Sequence, residues 1–255
     1  MTQSASLREI ADFLDDYLRV GEIPDYGNAV NGVQVENSGT VRRILAAVDA
    51  GQPSLDAAGA AGDGTLLLVH HGILWDGNVP VTGRRYRRVR SLLEHDTALY
   101  AAHLPLDVHG EVGNNVQLAR RIGLTVEGRF GRFDGQLIGV HGTLAVARDT
   151  LVERLEQELR TQATVLSGGP SECRQVGIVT GGAGDMIAQA LAAGCDTFIT
   201  GEGAHHTYFD AHELGINVVY AGHYATEQLG VQALAAVVSE RFSVPWSFFD
   251  HPTGL

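Results

Sequence analysis

Val218-Val-Tyr-Ala-Gly-His-Tyr-Ala-Thr-Glu227 joins a strand to a helix. The apolar run 216–221 predicts a strand, Gly222 ends it, and a helical pattern follows from about Thr226. His223 and Glu227 are four residues apart. If the helix begins at once, that spacing puts an imidazole and a carboxylate on one face, about one turn apart. Such a pair suits a divalent metal or acid/base chemistry. A lone pair of this kind says little, but three other His-bearing stretches also follow apolar strands.

The first of these is 65–69, an unbroken apolar run that predicts a strand buried on both faces. It leads into His70-His71-Gly72. Adjacent strand residues point to opposite faces, a rule that relaxes at a strand end, so the two imidazoles can diverge toward two ions. The plainer alternative is one buried, hydrogen-bonded His and one exposed. The second is strand 97–102, which runs into His103-Leu-Pro-Leu-Asp107-Val-His109. Pro105 is expected to prevent a helix there, His109 to be an exposed loop residue, and Asn114 or Asn115 to cap a helix through Ile122. The third is strand 196–200, which ends in Gly201-Glu-Gly-Ala-His-His206 and a helix to Leu214.

The rest of the chain supplies the frame. Ser6 with Glu9 three residues on predicts a helix N-terminus, and Leu7, Ile10, Phe13, Leu14, Tyr17 and Leu18 form its apolar stripe. Residues 22–39 read as loop with a short strand at 33–35, and Asn28 and Asn31 as turn chemistry. A strand at 42–48 and an Ala-rich helix at 53–61 follow. Five of the 18 basic residues fall in 84–90, read as a solvated helix face, with phosphate or an acidic partner as the sharper alternative. The Gly- and Arg-rich stretch 125–135 is placed as a domain boundary. Then come a strand at 136–147, a helix at 149–160 capped by Asp149 or Thr150, and strands at 163–166 and 175–180. The turn Gly181–Gly184 before Asp185 reads as ordinary packing rather than a phosphate cradle, lacking a P-loop ending or GxGxxG. A helix at 230–242 and a strand at 244–249 close the chain. The alternation indicates an α/β protein with largely parallel sheets and two domains.

Composition narrows the function. The 255 residues carry 18 basic and 30 acidic side chains, a net charge of −12, which argues against general nucleic-acid or anionic-membrane binding. Cys173 and Cys195 show no CxxC spacing, so neither a disulfide framework nor a thiolate zinc site is expected. With no signal-like start and no apolar run of spanning length, a cytoplasmic location is expected.

Ligands in open α/β sheets gather at the carboxyl ends of strands. His70, His71, His103, Asp107, Glu202, His205, His206, His223 and Glu227 all fall there. That set favours a metal site with N and O ligands. It is too large for one open tetrahedral ion, and two ions sharing a bridging carboxylate would use it better.

In this order and spacing, Leu67-Leu-Val-His-His-Gly72, Ala101-Ala-His-Leu-Pro-Leu-Asp-Val-His109 with Gly113-Asn-Asn115, Thr200-Gly-Glu-Gly-Ala-His-His206 and Gly222-His-Tyr-Ala-Thr-Glu227 resemble the dinuclear metal-centre family of Nif-three-like proteins. That family is often called GTP cyclohydrolase I type 2. The resemblance runs from the first helix to about residue 249. It implies two intertwined α/β domains, 1–127 plus 222–255 and 128–221, with a dinuclear site in the cleft between them. It implies His70, His71, Asp107, His223 and Glu227 as ligands of two divalent ions, Glu227 bridging. His71 and Asp107 would complete one site, and His70 and His223 the other. His103, His205 and His206 match polar positions expected to orient ligands or carry protons. The ions can be zinc, manganese, iron, cobalt or nickel. A homo-hexamer, built as a trimer of dimers, is implied as well. The family often carries a long insertion between the halves, and this chain resembles its short form.

Two divalent ions about 3.5–4 Å apart can activate a water, so a metal-dependent hydrolase is the expected function, with a nucleotide or similar small substrate. The family name implies GTP, although no residue stands out as a guanine reader. The alternative is a non-catalytic metal-binding hexamer with a scaffold or regulatory role.

Overall fold

A computed structural model describes residues 4–254. Strand β1 (Ala5–Ser6) runs into helix α1 (Leu7–Leu18). The Ser6 side chain accepts the Glu9 N–H at 3.4 Å, and Leu7, Ile10, Leu14 and Leu18 are the buried stripe. Strands β2 (Gly32–Val35), β3 (Thr40–Val41) and β4 (Arg43–Asp49) precede helix α2 (Gln52–Ala61), which has Pro53 in its first turn. Strand β5 (Thr65–His71), helix α3 (Gly83–Glu94), strand β6 (Ala98–Ala101) and the short helix α4 (Leu104–Asp107) follow. Helix α5 (Asn114–Ile122), strands β7 (Thr125–Phe133) and β8 (Gln136–Ala147), helix α6 (Arg148–Leu159) and strands β9 (Thr164–Ser167) and β10 (Glu172–Ile178) come next. A single 3-10 turn (Gly184–Met186) leads to helix α7 (Ile187–Ala192), strand β11 (Thr197–Thr200), helix α8 (Thr207–Leu214) and strand β12 (Asn217–Tyr220). Helix α9 (His223–Phe242) and strand β13 (Trp246–Phe248) end the chain.

The chain divides into two compact units. The first is Met1–Leu106 with Gly230–His251, and the second is Asp107–Leu229 with Pro252–Leu255. Both are discontinuous in sequence. The exchanges fall at 107, 230 and 252, and the sequence reading places the domain limits at 128 and 222. Helix α5 packs on α6, β7 and β8, which puts it with the second unit, and the first turns of α9 also belong there.

The first unit holds a five-stranded sheet in the order β13-β4-β5-β6-β2. Four strands are parallel, and β2 pairs antiparallel with β6 at the edge. Leu66, Leu67, Leu68 and Val69 of β5 are fully buried. At about 1.5–3 kcal/mol per buried aliphatic side chain, β5 is the main apolar anchor of this sheet. Leu67 and Val69 join Leu55 and Ala58 of α2 and Leu92 of α3 in one core. The alternate parity serves the other face, where Tyr100 Oη donates to Asp15 of α1 at 2.7 Å.

The second unit holds a six-stranded sheet in the order β7-β8-β10-β11-β12-β9. Only β10-β11-β12 are parallel. The pairs β7/β8, β8/β10 and β12/β9 are antiparallel, so this sheet is mixed rather than largely parallel. The stretch 125–135, read as a boundary, is instead β7 and the turn to β8. Asp134 (φ 42°) and Gly135 (φ 84°) make that turn, in the left-handed conformation that two-residue hairpins require. Its glycines, arginines and exposed side chains hide β7 from a search for apolar alternation. Ala147, not Asp149 or Thr150, stands at the N-cap of α6. Among the described residues no helix is long and apolar enough to cross a membrane.

Candidate metal centre

His70 and His71 are still within β5 and keep its parity, His70 fully buried and His71 partly exposed. Their rings do not splay apart: the centroids are 4.7 Å apart at 49°. His103 follows β6 and brings its ring 4.9 Å from His70 and 5.6 Å from His71. The three offer ring nitrogens within 4.8 Å of one another. Trp75 packs edge-on against His103, at 4.9 Å.

Each ring is held through Nδ1. His70 Nδ1 lies 2.9 Å from Ala102 O, His71 Nδ1 2.8 Å from Asp49 Oδ1, and His103 Nδ1 2.8 Å from Asp25 Oδ1. A carbonyl or carboxylate oxygen only accepts, so the proton belongs on Nδ1 and Nε2 carries the lone pair. This is the arrangement that orients imidazoles for metal binding. Asp25 is tightly made. It also accepts from Tyr26 N, Asn31 Nδ2 and Leu104 N, at 2.7–2.9 Å. Burial raises its pKa, but hydrogen bonds and charge from His103, with Asn31 and the Tyr26 amide, outweigh that and hold it below the usual range. Asn31 Oδ1 in turn accepts the His103 N–H at 2.7 Å, and Asn28 donates to Trp75 O at 2.8 Å. Residues expected to be turn chemistry thus brace His103.

The second unit builds its own donor set. Pro105 sits inside α4 rather than preventing it. Proline is compatible with a first helical turn, where its missing N–H has no intrahelical role. Asp107 ends that helix, 6% exposed. Asn114 and Asn115 are not caps; Gly113 is at the N-cap of α5. Asn114 Nδ2 donates to Asp107 Oδ1 at 2.8 Å, and Asn115 Nδ2 to Asp107 O at 3.1 Å. Asn115 Oδ1 accepts from Thr180 N at 2.9 Å, and the Thr180 hydroxyl reaches Asp107 Oδ1 at 3.4 Å. His109 is half-buried, its Nδ1 accepting from Glu111 N and Val112 N at 3.2 Å.

Helix α9 begins at His223, directly after Gly222, so His223 and Glu227 do share a face. His223 Nε2 lies 3.1 Å from Glu227 Oε2, and His223 Nδ1 2.8 Å from Glu202 Oε1. Desolvation lowers the His223 pKa, but Glu227 and then Glu202 outweigh it and raise it to about 9. Glu227 is 3% exposed, and its carboxylate also comes within 4.8 Å of that of Asp107. The Gly181–Gly184 turn closes around this pair. A Cβ at Gly181 would stand 2.1 Å from Glu227 Oε1 and 3.4 Å from His223 Nε2, and φ there is +71°. The turn's amides are used internally: Gly181 N donates to Thr226 Oγ1 and Ala183 N to Thr200 Oγ1. It is packing around a carboxylate, not a phosphate cradle.

His205 and His206 are exposed, and neither joins a group that could hold a metal ion among the described residues. His205 packs edge-on to Phe209, and His206 lies 4.0 Å from Asp210. The arginine cluster divides as well. Arg85 is buried and holds Asp76, Gly77 O and Val79 O, while Arg90 pairs with Glu94.

The model of the family described as Duf34/NIF3 (NGG1p interacting factor 3) matches residues 5–253. The chain belongs to the DUF34/NIF3 family. A protein from Deinococcus radiodurans named GTP cyclohydrolase 1 type 2 homolog is 43% identical to this DUF34/NIF3 chain over 249 residues, 97% of this chain and 94% of that protein. The solved structure of protein ybgI is 35% identical with a TM-score of 0.91, over 98% of this chain and 100% of that one. TTHA1606 from Thermus thermophilus is 40% identical with a TM-score of 0.86, at the same coverage. The mixed α/β architecture described above is therefore that of a known DUF34/NIF3 structure.

Four polar groups that hold the candidate ligands or His103 in place are not singled out by sequence reasoning: Asp25, Asp49, Thr180 and the Ala102 carbonyl. Asp49 carries the one readable signal, a carboxylate at the carboxyl end of a buried strand, β4.

Proposed function

We propose that this DUF34/NIF3 protein is a metal-dependent hydrolase whose centre holds two divalent cations. His70, His71, Asp107, His223 and Glu227 would be the ligands, with Glu227 shared between the ions. The observation that carries the reading is the common anchoring of imidazoles through Nδ1 to a carboxylate or carbonyl, beside two buried carboxylates and without thiolates. The donor set fits hard-to-borderline cations such as zinc, manganese, iron, cobalt or nickel. Bound there, two cations would supply Lewis-acid chemistry, activating a water as nucleophile and polarising the carbon or phosphorus centre it attacks. The chain's own residues do the positioning. Asp49 and Glu202 fix the tautomers of His71 and His223. Asn114, Asn115 and Thr180 fix Asp107, and the Gly181 backbone confines Glu227. His103, braced by Asp25, is the best-placed group to carry a proton beside the ligands.

The names of the relatives point to a nucleotide such as GTP, opened with release of formate, and phosphoester or amide hydrolysis is as compatible with two such ions. Metal-loaded protein incubated with GTP and with phosphoesters should show turnover that chelation abolishes and that His71→Ala loses. No turnover across such a panel, with metal content normal, would favour a metal-binding scaffold or regulatory protein instead.

We also propose a homo-hexamer. Phe209 and Leu214 of α8 are 54% and 40% exposed, apolar side chains suited to self-association. Sedimentation should give a mass near six chains of 27.2 kDa, and a clean monomer would refute it.

A further inference from the structure

The second unit contains a pocket of about 460 Å³ at the carboxyl ends of β11 and β12, lined among others by Gln162, Glu202, Gly203, Thr207, Tyr208 and Tyr220. That volume suits a small organic ligand. Its walls are specified by the sequence. A Cβ at Gly203 would stand 2.3 Å from Tyr220 Oη and 2.5 Å from Cζ, so only glycine lets the Tyr220 ring occupy its place. Tyr220 Oη donates to Thr207 Oγ1 at 2.5 Å, and Thr207 Oγ1 donates to Ala204 O at 2.5 Å. Both hydroxyl hydrogens are committed, which leaves Tyr220 Oη to present lone pairs. Glu202 adds a carboxylate, an acceptor only, whose side chain is 52% exposed. The Tyr208 ring is 49% exposed at the wall. Among the described residues no Arg or Lys lines the pocket; its side-chain donors include the Gln162 amide and the His205 imidazole.

Two acceptors, an aromatic face and no Arg or Lys favour one kind of ligand. A phosphate or carboxylate would meet the Glu202 carboxylate with no Arg or Lys to pair it. A flat ring bearing N–H groups would meet acceptors and a stacking surface. We propose that this pocket binds an uncharged planar heterocycle through its ring N–H groups, with Tyr220 Oη and Glu202 as acceptors and Tyr208 as the stacking face. Glu202 also holds His223, so the pocket adjoins the ligand set of the candidate centre. What happens to the heterocycle rests on the hydrolase reading, but its binding does not.

The test is calorimetry on the full chain, chelator-stripped and metal-loaded. The probes are guanosine against 1-methylguanosine, uridine against 3-methyluridine, and inorganic phosphate. At least one nucleoside should bind both forms of the protein, and methylating its ring N–H should weaken it about tenfold. Tyr220→Phe and Tyr208→Ala should each weaken it about tenfold, with circular dichroism and metal content unchanged. Phosphate should not compete. The proposal is overturned if no nucleoside binds either form, if binding ignores both variants, or if phosphate displaces the nucleoside. Nucleoside binding to a protein that never loads metal would sustain the pocket and sink the hydrolase. Metal loading without nucleoside binding would do the reverse.

Discussion

Asp49 Oδ1 accepts a hydrogen bond from His71 Nδ1 at 2.8 Å. The carboxylate comes from the end of β4 and the imidazole from the end of β5, paired directly in the parallel register. The bond sets the tautomer and leaves Nε2 as the atom that can ligate. Asp49 is thus a positioning residue for the proposed centre. Asp49→Asn should lower affinity for divalent cations about 10–100-fold, the usual effect of losing such a partner. Its side chain is 46% exposed, so the melting temperature should barely move. Metal titration of wild type and variant measures this, and unchanged affinity would remove Asp49 from the account.

Much of this was legible in the sequence, and the failures have physical causes. The four strand ends were readable because a buried parallel strand is an unbroken apolar run and its polar residues begin where the core ends. The 223/227 pairing was readable because helical spacing is fixed. Asn114 and Asn115 looked like caps because that is the commonest local use of asparagine. Their actual partners, Asp107 and Thr180, are up to 65 residues away in sequence. Strand β7 was unreadable because Gly128 and Gly131 interrupt it and packing, not propensity, maintains it. Position 128 lies 2.5 Å from His141 Nε2 and position 131 lies 3.2 Å from Met186 Sδ, measured from a Cβ added at each.

Gly181 offers a test of how closely the backbone confines Glu227. Alanine there would suffer both the positive φ and a Cβ 2.1 Å from the carboxylate. Gly194 has a similar φ of +86° with nothing within 4 Å, so it isolates the conformational cost. Gly194→Ala should cost about 1–2 kcal/mol and leave metal binding intact. Gly181→Ala should cost more and also weaken metal binding. Equal effects of the two would show that Glu227 has room to move.

Both cysteines should be chemically silent in the native protein. Burial pushes the Cys195 thiol up to about 12, with Asp196 adding to it, and burial also raises Cys173. A raised thiol pKa means a protonated sulfur, and only the thiolate reacts. Iodoacetamide at pH 8–9 should therefore label neither residue until denaturant is added, when both should react. Native labelling of Cys195, read by mass spectrometry, would contradict its placement.

The most direct test of the central claim is elemental analysis of the protein after loading with divalent metal, beside Glu227→Ala treated identically. The account predicts about two ions per chain in the wild type, and most of that content lost in a variant that keeps its circular dichroism spectrum. No bound metal in the wild type after loading, or full content in the variant, would contradict it.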